Sequence, residues 1–338
     1  FATWAAAEYG LRADDRLSNH APLHFDLSIF DYFAGIVAGA ATVIIPEDYA
    51  RLPASYAQLI NDAHISVLFT VPYALIQLLL RGAIERFGFA QLRWVIFGGE
   101  PFAPSHLCAL MARWPHVAFD NMYGPAEVNG VTHFTVSETH DPSTPVPIGH
   151  MANTAVGRVV NTSGDDLPDG EAGELLVASP TMMRGYWRQN ELTACAFVEY
   201  DDADGEKQRF YRTGDVVRRD PDGCLHFIGR ADRQVKVRGY RVELDDMELA
   251  LTRHDAVEEG AAYAIKDDEG VTLVCAEVTL RDGETLSESE LASYVKQHVP
   301  WYAAPTHLDI TKQFPRTTSG KIDRRKLAEL AAVRHTGA

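Results

Sequence analysis

Between residue 30 and about 130, short apolar runs at 41–45, 67–71, 94–97 and 117–122 alternate with helix-length amphipathic stretches such as 55–63 and 104–114. Apolar runs of strand length without polar alternation are buried on both faces, the environment of a parallel sheet covered by helices. The pattern predicts an α/β subdomain over 1–140. It also places Phe97-Gly98-Gly99-Glu100 and Asn121-Met122-Tyr123-Gly124 at strand C-terminal ends, where open α/β sheets bind ligands.

From about 145 the texture changes to strands punctuated by Gly and Pro. NTSGDDLPDGEAGE reads as turns, and Asp220-Pro221-Asp222-Gly223 as a hairpin turn joining 215–219 to 224–228. An antiparallel β subdomain is expected over 141–231, so that 1–231 forms one large core domain. Beyond Arg230, Val235 and Val237 alternate with Lys236 and Arg238, and a helix follows with Leu244, Met247 and Leu251 on one face. A further helix starts at Ser287 with a capping box to Glu290 and stops before Pro300. Residues 232–338 therefore read as a small α+β C-terminal domain.

Composition narrows the function. A net charge of -16 and a pI near 5.2 argue against a nucleic-acid partner, which needs a basic face, but not against local nucleotide binding. Cys108, Cys195, Cys224 and Cys275 are widely spaced with no CxxC pair, so neither a zinc site nor a disulfide framework is indicated. There is no apolar run long enough for a membrane span. A cytoplasmic protein is expected.

Five segments carry chemistry: FDLSIFD (25–31), NMYGPAEVN (121–129), YRTGD (211–215), GRADRQVKVRGYRVEL (229–244) and PRTTSGKID (315–323). Together they resemble the core motifs of the adenylate-forming superfamily, specifically amino acid adenylation domains and stand-alone amino acid:carrier protein ligases. The resemblance runs over essentially the whole chain and implies ATP and Mg²⁺ as cofactors. Members carry a Ser/Thr/Gly-rich phosphate loop just before the point where this sequence opens, on Phe1, so an N-terminally truncated chain, inactive by itself, is expected. Thr317-Thr318-Ser319-Gly320-Lys321 is no substitute. It lacks the first Gly of a P-loop and has Ile322 where Ser or Thr should follow the Lys.

Adenylation joins a carboxylate to the α-phosphate and expels pyrophosphate, so catalysis is mostly positioning and charge neutralisation. The resemblance implies that Tyr123 stacks on adenine with Asn121 near its edge, and that Gly99 and Phe227 belong to the nucleotide site. It further implies that Glu127 holds Mg²⁺, and that Asp215 and Arg230 contact the ribose. The family usually has Thr where Ala126 sits. Taken alone, Thr-Gly-Asp is more often a structural turn and Arg230 a surface salt bridge. Asp232 resembles the hinge about which a mobile C-terminal domain turns between two poses. One pose presents Lys321 to the carboxylate and α-phosphate, and the other presents Gly239 beside the thiol tunnel.

Asp26 bears on substrate. In amino-acid-specific members an Asp here pairs with the substrate ammonium, and a carboxylate among Phe25, Leu27, Ile29 and Phe30 is costly unless a cation arrives. The alternative is a helix cap, a role open to Ser28 as well. By position relative to the motifs, Leu27, Phe30, Thr70, Ile96, Gly98, Met122, Gly130 and Val131 line the side-chain pocket. A small or apolar amino acid is expected, with proline or a β-amino acid as the narrower reading. The expected partners are that amino acid and a carrier protein bearing a phosphopantetheine arm. The rival readings are an acyl-CoA ligase and a catalytically inactive remnant without the phosphate loop.

Overall fold

Strands β1 (Arg16–Asn19), β2 (Ala41–Ile44), β3 (Val67–Thr70), β4 (Trp94–Gly98), β5 (Ala118–Tyr123), β6 (Thr132–Thr135) and β7 (His150–Met151) form one sheet in the order β2-β1-β3-β4-β5-β6-β7. The first five are parallel, as the apolar runs predict. The last two are antiparallel, a departure from the all-parallel expectation, and they carry this sheet past residue 140. Loop 124–131 explains the reversal, since it is shorter than the roughly dozen residues a parallel crossover needs.

Both faces of this sheet are covered. Leu68, Val95, Phe97 and Phe119 pack against helices Pro53–Asp62, Pro72–Arg81 and Pro104–Arg113 through Tyr56, Ile60, Leu75, Leu78, Leu107 and Leu110. Each helix opens on a Pro, whose missing N–H costs nothing in the first turn. The alternate residues Val67, Phe69 and Ile96 turn to the other face. There, with Leu17 and Met122, they meet Trp4, Tyr9 and Phe30. Burying each such side chain stabilises the fold by about 1.5–3 kcal/mol. Phe30 belongs to a helical segment whose middle, Phe30–Ala34, is a π-turn between α-helical Leu27–Ile29 and Gly35–Ala38.

A second, antiparallel sheet holds β8 (Val156–Val160), β9 (Ala172–Ala178), β10 (Phe197–Asp201), β11 (Lys207–Arg219) and β12 (Leu225–Arg230), in the order β10-β11-β9-β8 with β12 also on β11. The predicted hairpin turn is present: the Asp220 N–H donates to the Cys224 carbonyl at 2.8 Å and Gly223 has φ +88°. The computed structural model describes residues 1–152, 155–201, 205–317 and 321–335. It divides into two units, Phe1–Ala231 and Asp232–Ala338.

The second unit is α+β. Hairpin β13 (Gln234–Val237) and β14 (Tyr240–Glu243) leads into helix Leu244–Thr252, which buries Leu244, Met247, Ala250 and Leu251. Strands β15 (Val257–Lys266), β16 (Thr272–Leu280) and β17 (His307–Ile310) form its main sheet, packed against helices Glu288–His298 and Arg324–His335. The capping box at Ser287 forms as read, with the Glu290 N–H donating to Ser287 Oγ at 3.2 Å and the Ser287 N–H donating to Glu290 at 3.0 Å. Among the described residues no helix is long and apolar enough to cross a membrane.

Candidate active site

Three of the expected nucleotide residues, distant in sequence, meet in the first unit. The Tyr123 hydroxyl donates to Asp215 Oδ2, and Arg230 Nη1 donates to Asp215 Oδ1 at 2.7 Å and to the Thr213 carbonyl at 2.8 Å. Asp215 is buried. Burial and the neighbouring carboxylate of Asp215 push the Tyr123 hydroxyl well above the usual tyrosine range, so it stays a donor.

The strand irregularity that aims Asp215 was not legible in YRTGD. The motif reads as a turn from which a strand starts at Asp215, yet β11 runs unbroken through it. Its register against β9 shifts between Arg212 and Val216, and against β12 between Val216 and Val217. Gly214 takes φ +69°, open to glycine at little cost, and Thr213 Oγ1 ties the distortion down by donating to the Leu175 carbonyl at 2.7 Å. Such bulges re-aim a side chain out of the ladder.

Parallel pairing of β4 and β5, with Phe97 opposite Asn121 and Gly98 opposite Met122, sets the two strand ends side by side. Gly99 follows with φ +91°. A Cβ on Gly98 would lie 2.2 Å from the Met122 carbonyl, and one on Gly124 would lie 1.7 Å from that of Asn129, so both turns require glycine. Asn121 Nδ2 donates to the Pro147 carbonyl at 2.8 Å, which fixes its amide. Phe227 packs with Tyr123 in the cluster between the sheets.

Glu127 lies beyond this turn and is buried. Tyr186, far along the chain, donates its hydroxyl to Glu127 Oε1 at 2.8 Å, and the Met183 N–H donates to the Glu127 carbonyl at 2.7 Å. Nothing local in the sequence points to Tyr186. Among the described residues no group of three or more His, Cys, Asp or Glu side chains gathers as a metal cage. The chemistry of Glu127 fits Mg²⁺ in its usual nucleotide-site mode, one carboxylate supplemented by phosphate oxygens and water.

Of the expected pocket residues, Leu27, Phe30, Ile96 and Met122 share one apolar cluster. Gly130 joins them, since a Cβ there would come within 2.7 Å of Met122 Sδ. Val131 belongs instead to the cluster around Tyr123 and Val128, and the Thr70 hydroxyl faces Tyr56 on a covering helix. Asp26 sits half-buried at the head of helix Leu27–Ile29, with φ -66° and ψ -25°, and makes no side-chain cap hydrogen bond to it. The Ser28 hydroxyl donates backward to the Phe25 carbonyl at 2.7 Å. Neither side chain acts as the cap.

In the second unit, Arg238 and Gly239 are the two central residues of the β13–β14 hairpin, with φ +53° and +84°, the signs a type I′ turn requires. Gly239 thus has a local structural reason as well as its expected one. Asp232 Oδ1 accepts from the Gln234 N–H at 3.0 Å. Lys321 is exposed; Arg316 and Ile322 form a bridge, and the Thr317 N–H donates to the Lys321 carbonyl at 2.8 Å. Thr318, Ser319 and Gly320 of PRTTSGKID lie outside the described residues.

Comparison with known proteins agrees with this layout. The AMP-binding enzyme family profile matches residues 1–187, and that of the AMP-binding enzyme C-terminal domain matches residues 246–321. The L-proline--[L-prolyl-carrier protein] ligase of Pseudomonas fluorescens is 33% identical over 330 residues, covering 97% of this chain and 63% of that protein. The chain therefore spans less than two thirds of that relative's length. Among solved structures, the amide bond synthetase McbA from Marinactinospora thermotolerans matches with TM-score 0.83 and 27% identity, over 97% of this chain and 64% of that one. The Vibrio cholerae adenylation domain AlmE, in complex with glycyl-adenosine-5'-phosphate, matches with TM-score 0.81 and 25% identity, over 98% and 61%.

Proposed function

Because this chain belongs to the AMP-binding enzyme family, we propose that it activates the carboxylate of an amino acid with ATP and passes the acyl group, as a thioester, to the phosphopantetheine arm of a carrier protein. The observation that carries the reading is the Tyr123–Asp215–Arg230 network at the mouth of the two sheets. It supplies an aromatic face for adenine and a carboxylate, charge-balanced by Arg230, that accepts from ribose hydroxyls. Glu127 is the residue to hold Mg²⁺. ATP would supply the adenylyl group, with pyrophosphate as the leaving group. The chain's own residues orient the reactants, and Lys321 of the second unit neutralises charge on the α-phosphate as the carboxylate attacks.

Asp232 is the proposed hinge of the second unit, and Gly239 its point of close approach to the thiol arm. Asp26 is the proposed anchor for the substrate amine. The apolar cluster of Leu27, Phe30, Ile96 and Met122 supports a small or apolar side chain, with proline or a β-amino acid as the narrower choice. The carrier-protein acceptor is supported by the printed activity of the Pseudomonas relative. ATP and a carrier protein as reactants support a cytoplasmic location.

The amine requirement tests the reading. An ion pair in a largely apolar pocket leaves an uncompensated charge when either partner is deleted, at a cost of about 3–5 kcal/mol. In a protein that also carries the phosphate loop, amino-acid-dependent pyrophosphate exchange is expected with proline, alanine or 3-aminobutanoate, and little with butanoate. Asp26→Ala should lose most activity while narrowing the gap between amino and deamino substrates. Butanoate matching the best amino acid would remove Asp26 from substrate recognition and favour an acyl-CoA ligase.

A further inference from the structure

Four buried polar atoms gather behind the C-terminal ends of β1 and β3, and they have no hydrogen-bond partner among the described residues: His20 Nδ1, Asp31 Oδ1, Tyr56 Oη and Thr70 Oγ1. They come from four elements. His20 follows β1, Thr70 ends β3, Tyr56 stands on helix Pro53–Asp62, and Asp31 lies in the π-turn Phe30–Ala34. Asp31, Tyr56 and Thr70 are each 1% exposed or less. The rings of His20 and Tyr56 lie 5.1 Å apart, and the Thr70 hydroxyl is near enough to Tyr56 to oppose the upward push of burial and Asp31 on its pKa, although the two hydroxyls do not meet the geometry of a hydrogen bond.

The surroundings are built to hold Asp31. Its Oδ2 accepts from Asn19 Nδ2 at 3.2 Å, Asn19 Oδ1 accepts from the Tyr32 hydroxyl at 3.0 Å, and the Asp31 carbonyl accepts from Thr42 Oγ1 at 2.7 Å. One carboxyl oxygen is thus satisfied and the other is not. Burial drives the Asp31 carboxyl well above the usual carboxylate range and pushes His20 down to about 4, so the imidazole is uncharged near neutral pH. Leaving several such groups unsatisfied in one place is expensive, and native folds avoid it. A π-turn interrupting a helix is a recurrent mark of a functional site.

We propose that His20, Asp31, Tyr56 and Thr70 enclose a site for a single hydroxyl group, brought either by a resident water or by the side chain of the substrate. The donor and acceptor count fits this guest. The Tyr56 and Thr70 hydroxyls each offer a proton, the neutral imidazole offers a lone pair, and Asp31 Oδ1 offers another. A water that accepts two hydrogen bonds and donates two meets all four groups, within the usual range for buried water. A substrate hydroxyl, with one proton to give, meets up to three of them. Thr70 is also one of the residues expected to line the side-chain pocket, so the guest would make a polar floor where sequence alone implies an apolar one.

The two sources separate in two experiments. A high-resolution crystal structure of this chain tests for resident water independently of any ligase activity. An ordered solvent peak within hydrogen-bond distance of Asp31 Oδ1 and Thr70 Oγ1 is expected, and it should vanish in the near-isosteric Thr70→Val and weaken in Tyr56→Phe. The second experiment rests on the ligase reading and, in a protein that also carries the phosphate loop, compares pyrophosphate exchange with threonine against valine, and with serine against alanine. If the substrate hydroxyl is the guest, the hydroxylated member of a pair should be preferred by roughly tenfold to a hundredfold, and Thr70→Val should erase the preference. A solvent peak without hydroxyl preference assigns the site to resident water. Absence of both, or a peak unchanged in Thr70→Val, overturns the proposal.

Discussion

Removing the guanidinium of Arg230 should both destabilise the first unit and weaken nucleotide binding, and the two effects can be separated. The Arg230 and Asp215 side chains are only 16% and 8% exposed, and the bond between them is 2.7 Å. In Arg230→Met the Asp215 carboxylate remains buried with the Tyr123 hydroxyl as its donor but without its cation. Breaking a buried pair from one side costs about 3–5 kcal/mol. For a unit of this size each kcal/mol lowers the midpoint by about 2–4 °C, so a fall of roughly 6–20 °C is expected in the unfolding transition. Asp169→Asn is the internal control, because its partner Arg219 is 35% exposed and Asp169 itself 42%, and such pairs contribute about 1 kcal/mol or less. The double variant Arg230→Met/Asp215→Leu should recover much of the lost stability, since an apolar replacement of both partners removes the stranded charge. It should not recover nucleotide affinity. Differential scanning calorimetry and isothermal titration with AMP read the two quantities separately. If Arg230→Met unfolds with the control, or if the double variant binds AMP like the wild type, the network is not what organises this site.

Two further outcomes are expected. In a protein that also carries the phosphate loop, Lys321→Ala should slow adenylation by roughly a hundred- to a thousandfold, the loss typical of one preorganised transition-state charge, while thioester formation from preformed aminoacyl adenylate survives; equal loss in single-turnover assays of both half-reactions would refute the two-pose arrangement. The hydrogen bond to Asp120 raises the His133 pKa despite partial burial, with the charges of Asp120 and Glu8 adding to it. The protonated ring therefore stabilises the docking of helix Ala2–Glu8 in full below the ordinary histidine pKa of about 6.5, and this contribution is lost as pH rises through the raised value. Trp4 fluorescence, with His133 5.5 Å from its ring, should report the loosening as pH rises above about 6.5, and His133→Gln should abolish that pH dependence.

What the sequence determined by itself was everything set by short-range pattern. Continuous apolar runs implied strands buried on both faces, and Asp220 to Gly223 implied its hairpin. Ser287 with Glu290 implied its capping box, because each signal is completed within a few residues. The five motifs were enough to establish the family. Tertiary structure decided what depends on residues far apart. The shortness of loop 124–131 turned β6 antiparallel. The register shifts in β11 brought Asp215 to Tyr123 and Arg230, and Tyr186 reached Glu127 across a sequence gap that no periodicity bridges. Asp31 shows the division most clearly. Its letter stands in FDLSIFD with Asp26, yet only packing leaves it fully buried with one oxygen bonded to Asn19 and the other without a hydrogen-bond partner among the described residues. A side chain's burial and partners are set by where distant elements place their atoms. Spacing along the chain cannot carry that information.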